Sequence, residues 1–108
     1  MIALCYGTRP QVIKASRLRS MLARVGPVRA VDTGQHYDWA LSAQLYEQLG
    51  VAPPDCFLEV GSGSHAEQTG LILLRAEAAL REFRPRMVVA IGDTNSTVGV
   101  TLAAAKLR

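Results

Sequence analysis

The amino-acid sequence predicts an α/β fold in which a parallel sheet carries helices on both faces. Three observations along its 108 residues support this prediction. Short apolar segments alternate with longer segments of helical periodicity through the whole chain. Polar loops follow two of the apolar segments and open the next helix, which is where parallel α/β sheets carry ligand sites. Residues 88–91 are continuously apolar, as strands covered on both faces are.

The first strand and helix have well-defined sequence signals. Ile2–Tyr6 is apolar and predicts a strand. A helix is predicted over residues 10–25, because Thr8 and Gln11 have capping-box spacing and Pro10 stands in the first turn, where a missing N–H costs little. Side chains at helical spacing are expected to form the buried stripe of this helix: Leu18, Met21, Leu22 and Val25.

The middle of the chain continues the alternation. A second strand is predicted at residues 28–33 and a second helix at residues 39–49, which Gly50 ends. A short third strand follows at residues 57–60. The aromatic side chains near the second helix are interpreted as packing residues: Tyr37, Trp39 and Tyr46.

The last half of the pattern repeats the same signals. Ser64 and Glu67 have capping-box spacing and predict the start of a third helix, which Pro85 ends before a strand from Met87. A last helix starts near Thr94. The third helix is expected to bury a stripe of five residues: Ile72, Ala76, Ala79, Leu80 and Phe83.

The fourth apolar segment, residues 88–91, indicates that the chain is a fragment of a larger domain. A strand covered on both faces is normally central in its sheet. The usual doubly wound order places this strand beside the first and requires a further strand on its outer side. Without that strand, an apolar edge would invite aggregation.

Composition excludes several classes of protein. A net charge of +3 is too small to indicate nucleic-acid binding, and Lys and Arg are scattered rather than gathered in a basic stripe. Cys5 falls in a predicted buried strand and Cys56 far away beside a loop, so we expect no metal site and a cytoplasmic location. We expect neither a signal peptide nor a membrane partner, because no basic leader precedes the first strand and no apolar run approaches roughly 20 residues.

Two polar loops supply the side chains of a candidate site. Arg9 and Lys14 follow the first strand, and Asp93 follows the fourth. If these strands are neighbours, both loops open at the same edge of the sheet, where two cations and a carboxylate would meet. A helix N-terminus and an Arg attract phosphate oxygens, and a carboxylate moves a proton. The set predicts an enzyme site, or half of one, for an anionic substrate.

Each of these residues also has a plainer interpretation. Arg9 fits a solvated side chain in an ordinary turn equally well, and Lys14 taken alone would be a solvated lysine. The first loop matches neither a dinucleotide fingerprint nor a P-loop. Asp93 suits a helix N-cap, and its local sequence favours that role. Catalysis is the better interpretation if Arg9 lies across the crevice from Asp93.

Two further loops follow predicted strands. Gln35 and His36 stand at the carboxyl end of the second strand, where they either face the crevice or, as is common for a loop histidine, are solvated bystanders. Residues 61–64, Gly-Ser-Gly-Ser, either cradle a phosphate with backbone N–H groups or give flexibility before a capped helix. The sequence leaves both pairs of alternatives open.

Three stretches together resemble the N-terminal part of the non-hydrolysing UDP-N-acetylglucosamine 2-epimerase family. They stand in the family's order and separation, and the similarity runs along essentially the whole chain. Gln11 replaces a common glutamate and, with Lys14-Ala15-Ser16 and the Thr-Gly-Gln-His-Tyr-Asp run, resembles the UDP-2,3-diacetamido-uronate 2-epimerase branch. The stretches are Gly7-Thr8-Arg9-Pro10-Gln11-Val12-Ile13-Lys14, Thr33-Gly34-Gln35-His36 and Gly92-Asp93-Thr94-Asn95-Ser96-Thr97.

The resemblance implies a fold and a chemistry. The fold is a glycosyltransferase-B-like architecture of two Rossmann-like domains with the active site in the cleft between them. Members of the family invert C2 of a UDP-sugar by eliminating UDP to give a glycal and adding UDP back, with no metal or redox cofactor. The complete enzyme would be a cytoplasmic homodimer that makes precursors of bacterial surface polysaccharide.

The resemblance also implies roles for single residues. Arg9 and Lys14 occupy positions that bind substrate, and Asp93 occupies an acidic catalytic position. Gln35 and His36 match a loop beside which some bacterial members bind a second, activating substrate molecule, so they are crevice or regulatory contacts.

The same resemblance indicates what residues 1–108 lack. They would be the N-terminal portion of the first Rossmann-like domain, without the remainder of that domain and without the second domain, which carries a catalytic histidine and most uridine contacts. We therefore expect this chain alone to be inactive. Two alternatives stay open: a glycosyltransferase-B-type transferase, and a non-catalytic nucleotide-binding half-domain that needs a partner chain.

Overall fold

Strands and helices alternate along the chain, as predicted. The computed structural model describes residues 1–7, 9–34, 39–61, 63–91 and 95–107. Within these ranges the strands are β1 Ile2–Tyr6, β2 Val28–Asp32, β3 Cys56–Phe57 and β4 Met87–Ala90. The helices are α1 Arg9–Leu22, α2 Trp39–Leu49, α3 His65–Phe83 and α4 Asn95–Lys106.

The strands form one parallel sheet in the order β3-β2-β1-β4. Successive side chains of a strand point to opposite faces. In β1, Leu4 and Tyr6 therefore pack with α1 and α2, whereas Ala3 and Cys5 pack with α3 and α4. The prediction of a parallel sheet with helices on both faces is confirmed.

The face that carries α3 and α4 is apolar and closely packed. A Cβ atom added to Gly99 of α4 would lie 2.4 Å from Cγ2 of Ile72, so the two helices touch through this glycine. The start of α3 is confirmed, since Ser64 Oγ accepts a hydrogen bond from the Glu67 N–H at 3.1 Å. Phe83 packs against the same cluster as the four buried residues predicted for this helix: Ile72, Ala76, Ala79 and Leu80.

Helix α1 ends earlier than predicted and buries a different stripe. It ends at Leu22, and a turn follows in which the Val25 N–H donates to Leu22 O at 2.9 Å. The predicted burial of Met21 and Val25 is wrong, because these residues are 64% and 80% exposed. Met21 lies about 100° around the helix from Leu22, and Val25 lies beyond the helix. The side chains that α1 packs against the sheet are Val12, Ala15, Leu18 and Leu22.

Strand β3 is shorter than the predicted span of residues 57–60. Glu59 has a left-handed φ of 56°, which interrupts regular pairing. The chain nevertheless continues beside β2, since the Leu58 N–H donates to Asp32 O at 2.8 Å. Arg75 of α3 holds this irregular segment, because its Nη1 donates to the carbonyl oxygens of Leu58 and Glu59 at 2.7 Å each.

The two cysteines lie in the sheet as free thiols. Cys5 is buried in β1 as predicted, and burial raises the pKa of its thiol to about 12. Cys56 lies beside a loop, as predicted, since it follows the irregular residues 51–55 and begins β3. It pairs in register with Val31, which pairs with Cys5, so the two cysteines stand two strands apart, roughly 10 Å at the usual strand spacing.

Strand β4 lies beside β1, as predicted, and forms an edge of the described sheet. Met87 is 57% exposed, and the other three residues of β4 are partly exposed. A strand expected to be central and covered on both faces is therefore an edge strand, because no described strand lies on its outer side.

Candidate active site

The carboxyl ends of β1, β2 and β4 meet at one edge of the sheet. The Thr33 N–H, after β2, donates to Tyr6 O at 2.9 Å, and the Ile91 N–H, after β4, donates to Cys5 O at 3.0 Å. β1 and β4 are adjacent and parallel, which confirms the geometric prediction for these strands. The loops that follow Tyr6, Thr33 and Ile91 therefore leave the sheet from the same edge.

The predicted site residues are placed to different extents. Lys14 is exposed on α1, and Arg9 is the first residue of α1, although its side chain is outside the described part of the structure. Asp93, Gln35 and His36 lie outside the described residues. The sheet brings together the strand ends that precede these five residues in the sequence, and the approach of Arg9 to Asp93 stays a prediction.

Gln11 fixes the turn between β1 and α1. Its buried side chain places Oε1 2.9 Å from the Gly7 nitrogen, whose N–H it accepts. This is the backward hydrogen bond of a capping box, made here to the residue before Thr8, while Thr8 itself lies outside the described residues. The backbone from which Arg9 departs is thereby held to the helix.

A buried polar chain that the sequence did not reveal lies under the ends of β1 and β2. Asp32 Oδ2 accepts a hydrogen bond from Tyr46 Oη at 2.8 Å, and the Tyr46 and Tyr6 hydroxyls are 2.5 Å apart. Asp32 Oδ1 accepts the Gly34 N–H at 2.9 Å. Tyr46 is buried, as a packing residue should be, but its hydroxyl also joins α2 to both strands. The hydrogen bonds could have been predicted only from the strand register, which pairs Tyr6 with Asp32.

Burial sets the protonation of these three groups. It raises the pKa of Asp32 above the ordinary value of 3.8, and the hydrogen bonds from Gly34 and Tyr46 partly oppose this shift. Burial also raises the pKa of both phenols far above the ordinary value of 10, and the nearby Asp32 carboxylate adds to both increases. Tyr6 and Tyr46 are therefore protonated donors at neutral pH.

Gly34 is required by the geometry of this edge. Its φ is 66°, in the left-handed region that favours glycine, and an added Cβ would lie 2.6 Å from Cζ of Phe57. Gly34 O accepts the Gly61 N–H at 2.7 Å. The loop predicted at residues 61–64 therefore begins beside the loop that follows β2.

A cavity of about 990 Å³ opens at the other end of β4, between α3, β4 and α4. It lies near the amino end of the strand, opposite the loop that carries Asp93, and is therefore separate from the candidate site. Side chains that line it include Leu80, Arg84, Arg86, Val88, Ala104 and Leu107.

The described residues contain neither a metal-binding cluster nor a membrane-spanning helix. Among them, no group of three or more His, Cys, Asp and Glu side chains is arranged to hold a metal ion. Over the same ranges, no helix has the length and apolar character needed to cross a membrane.

Comparison with known proteins identifies the family of this chain. Residues 23–108 match the sequence profile of UDP-N-acetylglucosamine 2-epimerase. The chain belongs to this family. This match includes the motifs at residues 33–36 and 92–97, and relatives that cover 98% of the chain extend the similarity to its N-terminal part, so the resemblance to the family is confirmed.

Members of the epimerase family are longer than this chain. A UDP-2,3-diacetamido-2,3-dideoxy-D-glucuronate 2-epimerase from Pseudomonas aeruginosa is 40% identical in an alignment of 108 positions, which covers 98% of this chain and 30% of that protein. The crystal structure of Methanocaldococcus jannaschii UDP-GlcNAc 2-epimerase in complex with UDP-GlcNAc and UDP is 36% identical with a TM-score of 0.85, covering 98% of this chain and 30% of that one. A structure of UDP-N-acetylglucosamine 2-epimerase from Rickettsia bellii is 32% identical with a TM-score of 0.84, and the match covers 98% of this chain and 28% of that one. The chain spans about 30% of the length of these relatives and has the Rossmann-like fold of their N-terminal part, within a glycosyltransferase-B-like architecture.

Proposed function

We propose that residues 1–108 form the N-terminal portion of a UDP-sugar C2 epimerase, an isomerase that eliminates UDP and adds it back. The observation that carries this proposal is the family match over residues 23–108. It is supported by the parallel sheet, in which β1, β2 and β4 end at one edge beside the family's sequence motifs.

In the proposed site, Arg9 and Lys14 bind the diphosphate of the substrate. Both residues belong to the first turns of α1, and the N-terminus of a helix favours an anion. Lys14 is exposed and so is free to reach a ligand in the crevice, and a guanidinium such as that of Arg9 holds two phosphate oxygens at once. Because negative charge grows on the departing diphosphate, these cations stabilise the transition state more than the ground state.

The proposed role of Asp93 is acid/base work, or its electrostatic support, at C2 of the sugar. Loss of the C2 proton together with departure of UDP from C1 forms a carbon–carbon double bond between C1 and C2. Return of a proton to the opposite face of C2 and of UDP to C1 completes the inversion. A positioned side chain accelerates each proton transfer. The two steps are redox-neutral and so need no redox cofactor, and the proposal, like the family resemblance, includes no metal. Gln35 and His36 are proposed to contact ligand from the second loop.

The proposed enzyme needs more chain than these residues supply. The relatives are about three times as long, and β4 is a partly exposed edge strand with a cavity of about 990 Å³ beside it. These features support a further strand on the outer side of β4, which completes the first domain, and a second domain that closes the cleft. Residues 1–108 alone are therefore proposed to be inactive. The complete enzyme is proposed to be a cytoplasmic homodimer whose ligand is a UDP-sugar, without nucleic-acid or membrane partners.

The test is C2 exchange catalysed by the full-length protein that contains this chain. It is incubated in D₂O with UDP-N-acetylglucosamine or with its diacetamido-uronate equivalent, and NMR follows deuterium at C2 and formation of the epimer. We expect reversible exchange with one of the two substrates and without an acceptor. Release of UDP that depends on an acceptor would instead identify a transferase, and absence of both reactions would favour a non-catalytic half-domain.

A further inference from the structure

Three polar side chains are buried together between α2 and the carboxyl ends of β1 and β2. Tyr6, Asp32 and Tyr46 are each less than 5% exposed, and the two tyrosine rings pack within the apolar cluster between the sheet and α1 and α2. Burying polar groups costs free energy unless each is hydrogen-bonded, and a fully bonded network fixes the directions of the groups that it joins. The hydrogen bonds among these three side chains therefore fix the relative positions of α2, β1 and β2 in a way that three apolar residues would not.

Asp32 controls the direction in which the polypeptide leaves β2. Its Oδ1 holds the Gly34 N–H at 2.9 Å, and Gly34 has a left-handed φ of 66°. On its other side, Gly34 O is held by the Gly61 N–H at 2.7 Å. Both polar groups of the Gly34 backbone are thus fixed immediately before the loop that begins with Gln35.

Tyr46 and Tyr6 connect that turn to the first loop. Tyr46 Oη donates to the second carboxylate oxygen of Asp32 and lies 2.5 Å from the Tyr6 hydroxyl. Tyr6 ends β1 and precedes Gly7, whose N–H is held by Gln11. These hydrogen bonds thereby join α2 to the ends of β1 and β2, which precede Arg9 and Gln35 in the sequence.

We infer that Asp32, held by Tyr46, is a positioning residue that fixes the turn at Gly34 and so sets the direction in which the polypeptide leaves β2 for the second predicted loop of the UDP-sugar site. This inference rests on the proposed function, because it concerns the loops of the same site. Asp32 acts through Gly34 and touches no reacting atom. A misplacement of about 1 Å at a site costs up to about 10²-fold in rate, so the kinetic effect of losing such a residue is measurable.

The hydrogen-bond pattern also predicts which substitution is tolerated. Either hydroxyl of the Tyr6–Tyr46 pair can be the donor. With Asp32→Asn, the side-chain oxygen still accepts the Gly34 N–H, while the amide NH₂ donates to Tyr46, which in turn donates to Tyr6. Asp32→Ala leaves the Gly34 N–H and the Tyr46 hydroxyl without this partner. The inference therefore concerns geometry rather than the charge of Asp32.

The test compares four variants of the full-length protein by epimerisation kinetics and by amide hydrogen exchange of the segment at residues 33–39. We expect Asp32→Ala to lower kcat/KM about tenfold or more and to speed exchange of this segment. Asp32→Asn should stay within about threefold of the wild-type protein, and Tyr46→Phe should lower kcat/KM about threefold or more. Val28→Ala, at the amino end of β2 in the same cluster, is the control for stability loss and should leave kcat/KM within about twofold.

The outcomes separate this inference from the proposed function. A wild-type protein without C2 exchange would overturn the proposed function, and faster hydrogen exchange at residues 33–39 in Asp32→Ala would still support positioning of the loop. If the wild-type protein is active, Asp32→Ala and Tyr46→Phe variants that match Val28→Ala in kcat/KM overturn the inference. Equal impairment by Asp32→Asn and Asp32→Ala overturns it as well. If Asp32→Ala does not fold, the comparison of kcat/KM between Tyr46→Phe and Val28→Ala decides whether the inference stands.

Discussion

On one face of the sheet, α3 and α4 pack through apolar side chains and through the close contact of Gly99 with Ile72. On the other face, α1 and α2 cover a cluster that contains the carboxyl group of Asp32 and two tyrosine hydroxyls. Apolar packing gains stability from any close fit, whereas a buried polar chain gains little net stability and fixes bond directions. The comparison leads us to expect that substitutions on the α3–α4 face change mainly stability, and that substitutions at the carboxyl edge next to the polar cluster change mainly activity.

The largest effect expected from this separation is a loss of turnover without a loss of stability. In the full-length enzyme, Asp93→Asn keeps a side-chain oxygen that can cap a helix, so the melting temperature should change little. The carboxylate is lost, so turnover should fall by a factor on the order of 10²–10⁴ if Asp93 transfers the proton itself. Thermal melting beside epimerisation kinetics measures both effects, and near-native turnover would reduce Asp93 to a helix cap.

Arg9→Ala should weaken substrate binding as well as turnover, because the diphosphate contact exists before the reaction begins. A hydrogen bond to a charged group contributes about 1.5–3 kcal/mol, so we expect kcat/KM to fall about 10- to 100-fold. The matched control is Arg17→Ala, which removes an exposed arginine from the same helix and should leave kcat/KM within about twofold. Equal effects of the two substitutions would place Arg9 outside the site.

On the α3–α4 face we expect a loss of stability without a loss of turnover. Gly99→Ala forces a Cβ atom against Ile72, and overpacking of this kind costs about 1–3 kcal/mol. The better helix propensity of alanine offsets about 1 kcal/mol of that loss, so the melting temperature should fall. Kinetic constants measured below the transition should not change.

Gly70→Ala in α3 is the control for the Gly99 prediction, because a Cβ atom at Gly70 would meet no heavy atom within 4 Å apart from the adjacent backbone of its own helix. Its melting temperature should be equal to or higher than that of the wild-type protein. A Gly99→Ala variant as stable as the Gly70→Ala variant would show that the contact between α3 and α4 is not tight.

The smallest effect concerns the pH dependence of stability. The pKa of Asp32 is raised in the folded protein, so the folded state binds its proton more tightly than the unfolded chain does. The stability linked to this proton is fully present below the ordinary pKa of 3.8 and is lost as the pH rises through the folded pKa. Asp32→Asn has no such loss, so its melting temperature relative to the wild-type protein should rise between pH 4 and pH 7. A constant difference across this range would contradict the raised pKa.

Local sequence signals were sufficient for the elements that depend on neighbours along the chain. The start of α3 at Ser64, the buried stripe from Ile72 to Leu80 and the parallel pairing of β4 with β1 are confirmed. Each follows from capping chemistry, from helical spacing or from the order of apolar segments. These signals do not give the rotation of a helix against the sheet, and Met21 was therefore placed on the wrong side of α1.

The candidate site was predictable to the level of the sheet edge. The meeting of the strand ends followed from topology, and the roles of Arg9, Lys14 and Asp93 remain predictions. The link between Asp32 and Tyr46 depends on strand register and on the docking of α2, which no local pattern encodes. β3 is short because the backbone of Glu59 is left-handed. Glutamate rarely adopts that conformation, so the sequence does not predict it there.

The contact between Gly99 and Ile72 has a consequence for the order in which the chain folds. α4 contains this glycine and four β-branched residues, Thr97, Val98, Val100 and Thr101, which all lower helix propensity. α3 is 19 residues long and rich in Ala, Leu and Glu, which favour a helix. We therefore expect α3 to become helical early in folding. We expect α4 to become helical when it docks on α3 and Gly99 packs against Ile72. During synthesis, α4 would then fold against α3, which leaves the ribosome first.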